Sequence, residues 1–346
     1  MREREQSHGW HAECQDVSEI DDAAHLRALV QEKGVTGVIG IHAFRAGKLL
    51  LGSAVPYCII LGGTDVNVMA DDVEKCKVMQ QAIENAAALV AFSREMVSKM
   101  RQRISYSGPT FIIPQTAHVP LPAACQSLNP LVSSLGLPES TRLFLLPCGL
   151  RQVKDPCYLI RAFSEWHSKD ASVMLCIVGP SLDAEYESKV CAAIRATVQS
   201  DPARRGGVSG GCQQDEGVMG AGVMYHRAVP HEELVLLMKH SFALVNSSVS
   251  EGMCGSLLEA LALSVPVLAR AAPGNLELIR HKRTGLLFNS PQECVALAQT
   301  YLLDSNLRHH LVLSGKCYAD RYHSSSTEHQ LLGQTLFHLS KTSLER

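Results

Sequence analysis

The chain has 346 residues, of which 46% are hydrophobic and 19% are charged, and its formal net charge is −2. This length and apolar content are typical of two globular domains. The weak net charge gives no reason to expect nucleic acid or an anionic membrane as the main partner. No run of about 18 apolar residues occurs, so no membrane span is expected.

The cysteines and the amino terminus indicate in which cellular compartment the protein is expected. Twelve cysteines are scattered along the chain without a Cys-x-x-Cys pair. This favours free thiols in a reducing compartment over disulfides or a zinc site. Residues 1–15 are charged and contain no apolar signal-peptide stretch. We therefore expect a cytoplasmic protein, while secretion stays open for forms with another amino terminus.

The first half of the chain alternates between helical patterns and short apolar runs. This alternation predicts a parallel sheet covered by helices. In chain order we predict a helix over 21–33, strands over 35–41 and 57–61, a helix over 72–87, a strand over 89–92, a helix over 93–103 and a strand over 110–113.

Three polar residues follow the first two predicted strands. His42 follows one strand, while Thr64 and Asp65 follow the next. The carboxyl ends of parallel strands meet at one edge of a sheet, where such proteins bind ligands. These residues are therefore candidates for a site. A structural histidine, and a simple turn at Asp65 and Asn67, are the alternatives.

A basic motif lies where the second domain is expected to begin. An apolar strand ends near Leu146, and the loop after it carries Gly149, Arg151 and Lys154. Pro156 suits the first turn of the helix that follows. Arginine offers a planar fork to a phosphate and lysine a point charge. The pair is a candidate diphosphate site, with two solvated loop charges as the alternative.

An acidic motif follows about a hundred residues later. The apolar run 242–249 predicts a buried strand, and Gly252 and Gly255 predict a turn into a helix over 256–263. The start of such a helix suits a phosphate. We expect Glu251 on the loop and Glu259 about two turns into the helix, each serving a neutral hydroxyl group. Surface charges are the alternative.

Together the two motifs resemble the retaining nucleotide-sugar glycosyltransferases of group 1, which have the GT-B fold. The resemblance implies an α/β protein with two Rossmann-like, doubly wound domains. It also implies roles: Glu251 contacts the donor sugar, Glu259 holds the ribose, and Arg151 with Lys154 neutralises the leaving diphosphate. His42 would face the sugar, and Thr64 and Asp65 would lie on the acceptor side.

The resemblance also sets the remaining expectations about the site. The loop with Arg227 and Val229, before a helix from His231, would grip the base. No Asp-x-Asp metal motif occurs, so we expect no metal and no cofactor, only a nucleotide-diphosphate sugar as co-substrate and an acceptor of unknown nature. The full set of expected donor contacts comprises Gly149, Gly252, Gly255, Ser256, Leu257, Glu259, Arg227 and Val229.

Two other enzyme classes lack their characteristic sequence motifs here, and two non-catalytic functions remain as alternatives. No Gly-x-Gly-x-x-Gly after a strand and no Walker loop occurs, which argues against a dinucleotide oxidoreductase and a P-loop enzyme. Residues 1–20 show no opening strand or glycine loop of the family, so the first domain is predicted to lack them. A binder of nucleotide sugars with impaired catalysis, or a scaffold, is therefore an alternative.

The domain organisation follows from composition and from the resemblance. We predict an unrelated or disordered terminus over 1–20, an incomplete acceptor-side domain over 21–122 and a linker over 123–141. The nucleotide-sugar domain is predicted over 142–320, with a flexible glycine-rich insertion over 197–222. A C-terminal helix over 321–346 is expected to return to the first domain.

Overall fold

The computed structural model describes residues 11–117, 119, 137–138, 140–199 and 217–344. The chain divides into two compact units, residues 1–116 with 324–346, and residues 117–323. Most of the predicted linker over 123–141 lies outside the described residues, so the predicted domain boundaries stay predictions. The predicted insertion over 197–222 is structured at both ends, since a helix reaches Gln199 and a strand covers Gly217–Met219.

The first unit is a parallel four-stranded sheet with its helices. Asp22, Asp72 and Ser93 start three of the helices by accepting hydrogen bonds from backbone N–H groups of the first turn. The elements are α1 (Ala23–Glu32), β1 (Val38–Ile41), α2 (Gly47–Leu50), β2 (Tyr57–Ile60), α3 (Gly63–Asn67), α4 (Val73–Glu84), β3 (Ala88–Ala91), α5 (Arg94–Arg101) and β4 (Thr110–Ile112). The short helices α2 and α3 lie in segments for which no helix or strand was predicted.

This sheet is covered on both faces. Its strands run in the order β1-β2-β3-β4, with all pairs parallel. Ile59 and Leu89 face one core, whereas Cys58 and Ala88 face the other side, where they pack against Leu339. Leu339 belongs to the C-terminal helix (Ser325–Leu344). This helix belongs to the first compact unit and covers an apolar face of the sheet that would otherwise meet water.

The second unit alternates strands and helices in a larger sheet. Its elements are β5 (Arg142–Pro147), α6 (Cys157–His167), β6 (Val173–Val178), α7 (Ala184–Gln199), β7 (Gly217–Met219), β8 (Val223–His226), α8 (His231–His240), β9 (Ala243–Asn246), α9 (Gly255–Ala262), β10 (Val267–Arg270), α10 (Asn275–Leu278), β11 (Leu286–Phe288), α11 (Pro291–Leu303) and α12 (Ser305–Tyr322). In its described part, seven strands run in the order β11-β10-β9-β5-β6-β8-β7.

The strand order of this sheet reverses at its centre. The chain proceeds from β5 outward through β6 and β8, then returns to place β9 on the other side of β5. All pairs are parallel except β7 with β8, an antiparallel edge that the sequence analysis did not predict. Phe144 and Leu145 of β5 face opposite cores, as expected for a strand with both faces covered. In doubly wound sheets, ligands bind at such a reversal point, at the carboxyl ends of the strands.

Among the residues that the structure describes, no helix combines the length and apolar character needed to cross a membrane.

Candidate active site

Two loops meet where the strand order reverses, one after β5 and one after β9. The backbone N–H of Val249 donates to the carbonyl of Val153 at 2.9 Å. The Ser247 hydroxyl donates to the carbonyl of Lys154, also at 2.9 Å. The basic and acidic motifs, about a hundred residues apart in sequence, are therefore joined directly.

The central feature of this site is an ion pair between the two motifs. Lys154 Nζ lies 2.7 and 2.8 Å from the two carboxylate oxygens of Glu251. The side chains are 18% and 8% exposed, respectively. Glu251 also accepts hydrogen bonds from the Ser248 hydroxyl at 2.6 Å and the Asn246 amide at 3.2 Å. A buried carboxylate needs such partners, so the loop holds Glu251 in one orientation.

Arg151 lies near this ion pair. The thiol of Cys148 is close enough to Lys154, Arg151 and Glu251 for all three charges to act on it, although burial dominates and raises the pKa of that thiol to about 12. Within the described part of the chain, Arg151 Nε is buried and has no hydrogen-bond partner. A buried donor of this kind needs a partner, either water or a ligand. Both predicted cations, Arg151 and Lys154, lie near the Cys148 thiol.

The start of α9 adds a third source of positive potential. Its N-cap residue is Cys254, whose thiol interacts with the backbone N–H of Leu257, and the other first-turn N–H groups contribute positive potential at this helix start. Burial raises the pKa of the Cys254 thiol to about 11, with Glu251 acting in the same direction and Lys154 in the opposite one. Gly255 and Ser256 open this helix, the side chain of Leu257 is buried, and Gly252 lies in the preceding bend.

Glu259 lies about one turn into α9, which begins at Gly255, and not two turns as predicted, because four residues make little more than one helical turn. Its carboxylate is 2.9 Å from His231 Nε2, at the start of α8. The loop before α8 carries Arg227, whose guanidinium lies 3.6 Å from Glu187, and Val229, which packs against the core. Glu259 is thus brought beside the loop predicted to hold the base.

The predicted site residues of the first unit form a cluster of their own. His42 follows β1 and has a φ of +80°, which is uncommon for a residue other than glycine. Its Nε2 lies 3.0 Å from the Thr64 hydroxyl, and Asp65 accepts a hydrogen bond from the N–H of Ala43 at 2.5 Å. Asp65 is only 1% exposed. The roles of His42, Thr64 and Asp65 towards sugar and acceptor stay predictions.

Burial sets the protonation of this cluster. It lowers the pKa of His42, against the opposing attraction of Asp65 at 3.7 Å. It also raises the pKa of the Asp65 carboxyl, again against the charge of its partner. Burial disfavours the charged forms of both His42 and Asp65.

Several residues of the site were not found from the sequence. Asn246 links Glu251 to Asn275, whose amide donates to the Asn246 side-chain oxygen at 2.8 Å. A sequence pattern could have identified some of them, because polar residues occur at the carboxyl ends of apolar strands. Arg270, for example, follows the run Val-Leu-Ala. The side chains of the second unit that contact the predicted site residues or one another, and that the sequence did not identify as site residues, are Asp155, His231, Asn246, Ser248, Arg270 and Asn275. In the described residues, no group of three or more His, Cys, Asp or Glu side chains could hold a metal ion.

Comparison with known proteins gives the family. A family model described as "Glycosyl transferases group 1" matches residues 215–317. "Glycosyltransferase 1 domain-containing protein 1" of Xenopus tropicalis is 33% identical over 313 residues, which is 89% of this chain and 84% of the relative. The chain belongs to the glycosyl transferases group 1 family. It is a glycosyltransferase, as the two motifs predicted.

Solved structures agree on the fold. Anabaena HepE in complex with UDP-glucose has a TM-score of 0.73 at 15% identity, covering 90% of this chain and 81% of its own. Sucrose-phosphate synthase from Thermosynechococcus elongatus has a TM-score of 0.68 at 20% identity, covering 92% of this chain and 77% of its own. At these identities the likeness concerns the fold, and it confirms the GT-B class with two Rossmann-like domains.

Proposed function

We propose that this glycosyltransferase takes a sugar from a nucleotide-diphosphate sugar and transfers it to an acceptor with retention at the anomeric carbon. The observation that carries the proposal is that Arg151, Lys154 and Glu251 lie near one another, with the start of α9 beside the last two. Cations and helix dipole suit a diphosphate, and the carboxylate suits a neutral hydroxyl group of the sugar. The resemblance of the two motifs to the retaining members of the family gives the stereochemistry.

The leaving diphosphate is the group that these cations serve. Negative charge grows on it as the bond to the sugar breaks, and fixed donors around it lower the barrier. Arg151 offers its unpartnered Nε, and Lys154 offers a charge that Glu251 holds until the donor arrives. Donor binding would draw Lys154 towards the phosphates and leave a Glu251 oxygen for a sugar hydroxyl. Ser248 and Asn246 keep that carboxylate in place during the exchange.

The second glutamate serves the nucleotide. Glu259 lies next to the loop with Arg227 and Val229, where the base is expected, and it faces His231. A ribose hydroxyl can donate to the carboxylate of Glu259, which the contact with His231 orients. His42 remains the proposed contact to the sugar, with Thr64 and Asp65 on the acceptor side.

We also propose that the reaction needs no metal ion and that the protein works in the cytoplasm. The cationic pair already supplies the charge that a divalent ion would bring to the diphosphate. The ten cysteines of the described residues are free thiols, and five of them are buried. Free thiols of this number fit a reducing compartment.

The decisive experiment follows donor turnover. UDP-glucose is the first donor to try, because Anabaena HepE is solved with it, and guanosine-diphosphate sugars are the second. NMR of the product should show the anomeric configuration of the donor, with turnover unchanged by EDTA. Lys154→Met should remove most of the turnover, and Arg161→Met, at an exposed position of α6, should not. Binding of the donor without transfer or hydrolysis would instead support the non-catalytic binder.

A further inference from the structure

A third cationic side chain, that of Arg270, lies at this edge of the second sheet and belongs to neither the basic nor the acidic motif. Arg270 is the last residue of β10, next to β9 in the sheet. One nitrogen, Nη1, lies 3.0 Å from an oxygen of Asp155 and 3.3 Å from the carbonyl oxygen of Ser247. The guanidinium carbon also lies 3.9 Å from the centroid of the Tyr158 ring. The side chain is therefore held by three different groups.

Both hydrogen-bond partners of Arg270 are linked to Lys154, one along the chain and one through a hydrogen bond. Asp155 directly follows Lys154, and it has a left-handed backbone with φ +43°. Ser247 precedes the segment that carries Glu251, and its hydroxyl donates to the carbonyl of Lys154. Arg270 thus binds the loop after β5 through Asp155 and the loop after β9 through Ser247.

The same contacts argue against Arg270 as a direct ligand of the donor. Its charge is neutralised by Asp155, and its face is covered by Tyr158. A phosphate brought to Arg270 would also meet the Asp155 carboxylate, which repels it. The planar guanidinium suits the observed task, because it can stack on a ring while donating in its own plane.

We infer that Arg270 is a positioning residue for the glycosyl transfer. By binding Asp155 and the Ser247 carbonyl, it fixes the spacing of the two loops. This spacing determines the positions of Lys154 and Glu251 relative to the donor. This inference rests on the proposed function. A misplacement of about 1 Å at reacting groups can cost on the order of a hundredfold in rate. The loss should therefore appear in kcat more than in the KM for the donor.

The test compares three variants with a matched control. Arg270→Met keeps an apolar stem over Tyr158 but loses the donors, and Asp155→Asn removes the anionic partner. We expect Arg270→Met to lower kcat by about tenfold to a hundredfold, with the donor KM changed less than about threefold. Arg270→Lys, which can still donate, should recover part of kcat. Arg161→Met, at a 91% exposed arginine of α6 paired only with Glu165, should behave as the wild type.

The coupling of the two partners separates positioning from a general loss of stability. If Arg270 acts through Asp155, the double variant Arg270→Met, Asp155→Asn should lose no more kcat than the worse single variant. Fully additive losses, or equal kcat in Arg270→Met and the wild type, would overturn the inference. A fall in kcat that follows the melting temperature across all variants would overturn it as well.

A crystal structure of Arg270→Met tests the inference independently of any measurement of turnover. We expect the two loops to separate and Lys154 Nζ to leave the hydrogen-bond distance to Glu251. An unchanged ion pair in that structure contradicts the inference even if kcat has fallen. Failure of the proposed function is a different result, because the wild type itself would then neither bind nor turn over a nucleotide sugar.

Discussion

Each unit places a basic side chain and a carboxylate at the carboxyl ends of parallel strands, but the two pairs differ in kind. In the second unit, Lys154 contacts both oxygens of Glu251, which also accepts hydrogen bonds from Ser248. In the first unit, His42 Nδ1 and the nearest Asp65 oxygen are 3.7 Å apart. Asp65 accepts instead from the backbone of Ala43.

The difference shows what keeps a buried pair charged. Hydrogen bonds to Glu251 compensate for the loss of water, so the lysine–glutamate pair can stay ionic. In the first unit burial prevails, since it raises the pKa of Asp65 and lowers that of His42. A charged pair suits exchange with a diphosphate, whereas a nearly neutral histidine suits hydrogen bonding to a hydroxyl group.

The largest effect is expected from breaking the charged pair. Lys154→Met should lower turnover on the order of a hundredfold, because one charged donor to a developing anion contributes about 3 kcal/mol. It should also destabilise the second unit by up to about 3 kcal/mol, since Glu251 is left buried without its cation. Steady-state kinetics and urea unfolding measure the two effects.

The double variant Lys154→Met, Glu251→Gln sharpens this result. It removes both charges, so its stability should recover towards the wild type while its turnover stays low. A double variant as unstable as the single one would show that the ion pair does not dominate this site.

The next effect concerns the backbone that supports Glu251. Gly274 has φ +84°, and a Cβ there would lie 2.3 Å from the Glu251 carbonyl oxygen. Gly274→Ala should therefore cost about 1–3 kcal/mol and displace the Glu251 loop. Gly333→Ala is the matched control, because no atom lies within 4 Å of its added Cβ in the C-terminal helix. The control should be neutral or stabilise by about 0.5 kcal/mol. Equal melting temperatures for the two variants would contradict the prediction.

A smaller effect tests the nearly neutral pair through pH. The folded-state pKa of His42 lies below its ordinary value of 6.5. The stability that this group contributes is therefore present above pH 6.5 and is lost as the pH falls through its folded-state pKa. Asp65 acts in the opposite sense: its contribution is complete below its ordinary pKa of 3.8 and is lost as the pH rises through the raised value.

His42→Asn removes one of these two titrations and tolerates the positive φ. Between pH 7.5 and pH 5, its unfolding free energy should fall less than that of the wild type, as measured by urea unfolding at each pH. A steeper fall in the variant would mean that His42 stabilises the fold in its charged form.

The smallest effect is expected at the nucleotide end of the second unit. His231→Ala removes the hydrogen-bond partner that orients Glu259. Because one such bond contributes about 1 kcal/mol, nucleotide-diphosphate binding should weaken about threefold to fivefold by calorimetry. His309→Ala, at an exposed position of α12, serves as the control. Tighter binding by His231→Ala would show that His231 competes with the ribose for Glu259.

Local patterns predicted the elements well where the chain is periodic. The helix expected from His231 begins there, and the strand expected over 57–61 covers Tyr57–Ile60. The strand expected over 242–249 ends at Asn246 instead. Its side chain bonds Ser248 and Glu251, so the chain leaves the sheet three residues earlier than the apolar run suggested.

The sequence by itself determined the family, the two strand–loop–helix motifs and the residue types that a diphosphate and a sugar demand. These follow from local periodicity, glycine positions and the chemistry of single side chains. Only the tertiary structure decided that Glu251 holds Lys154 and that Arg270 joins both loops. Contacts between residues a hundred positions apart depend on the strand order of the sheet, and no local pattern records that order.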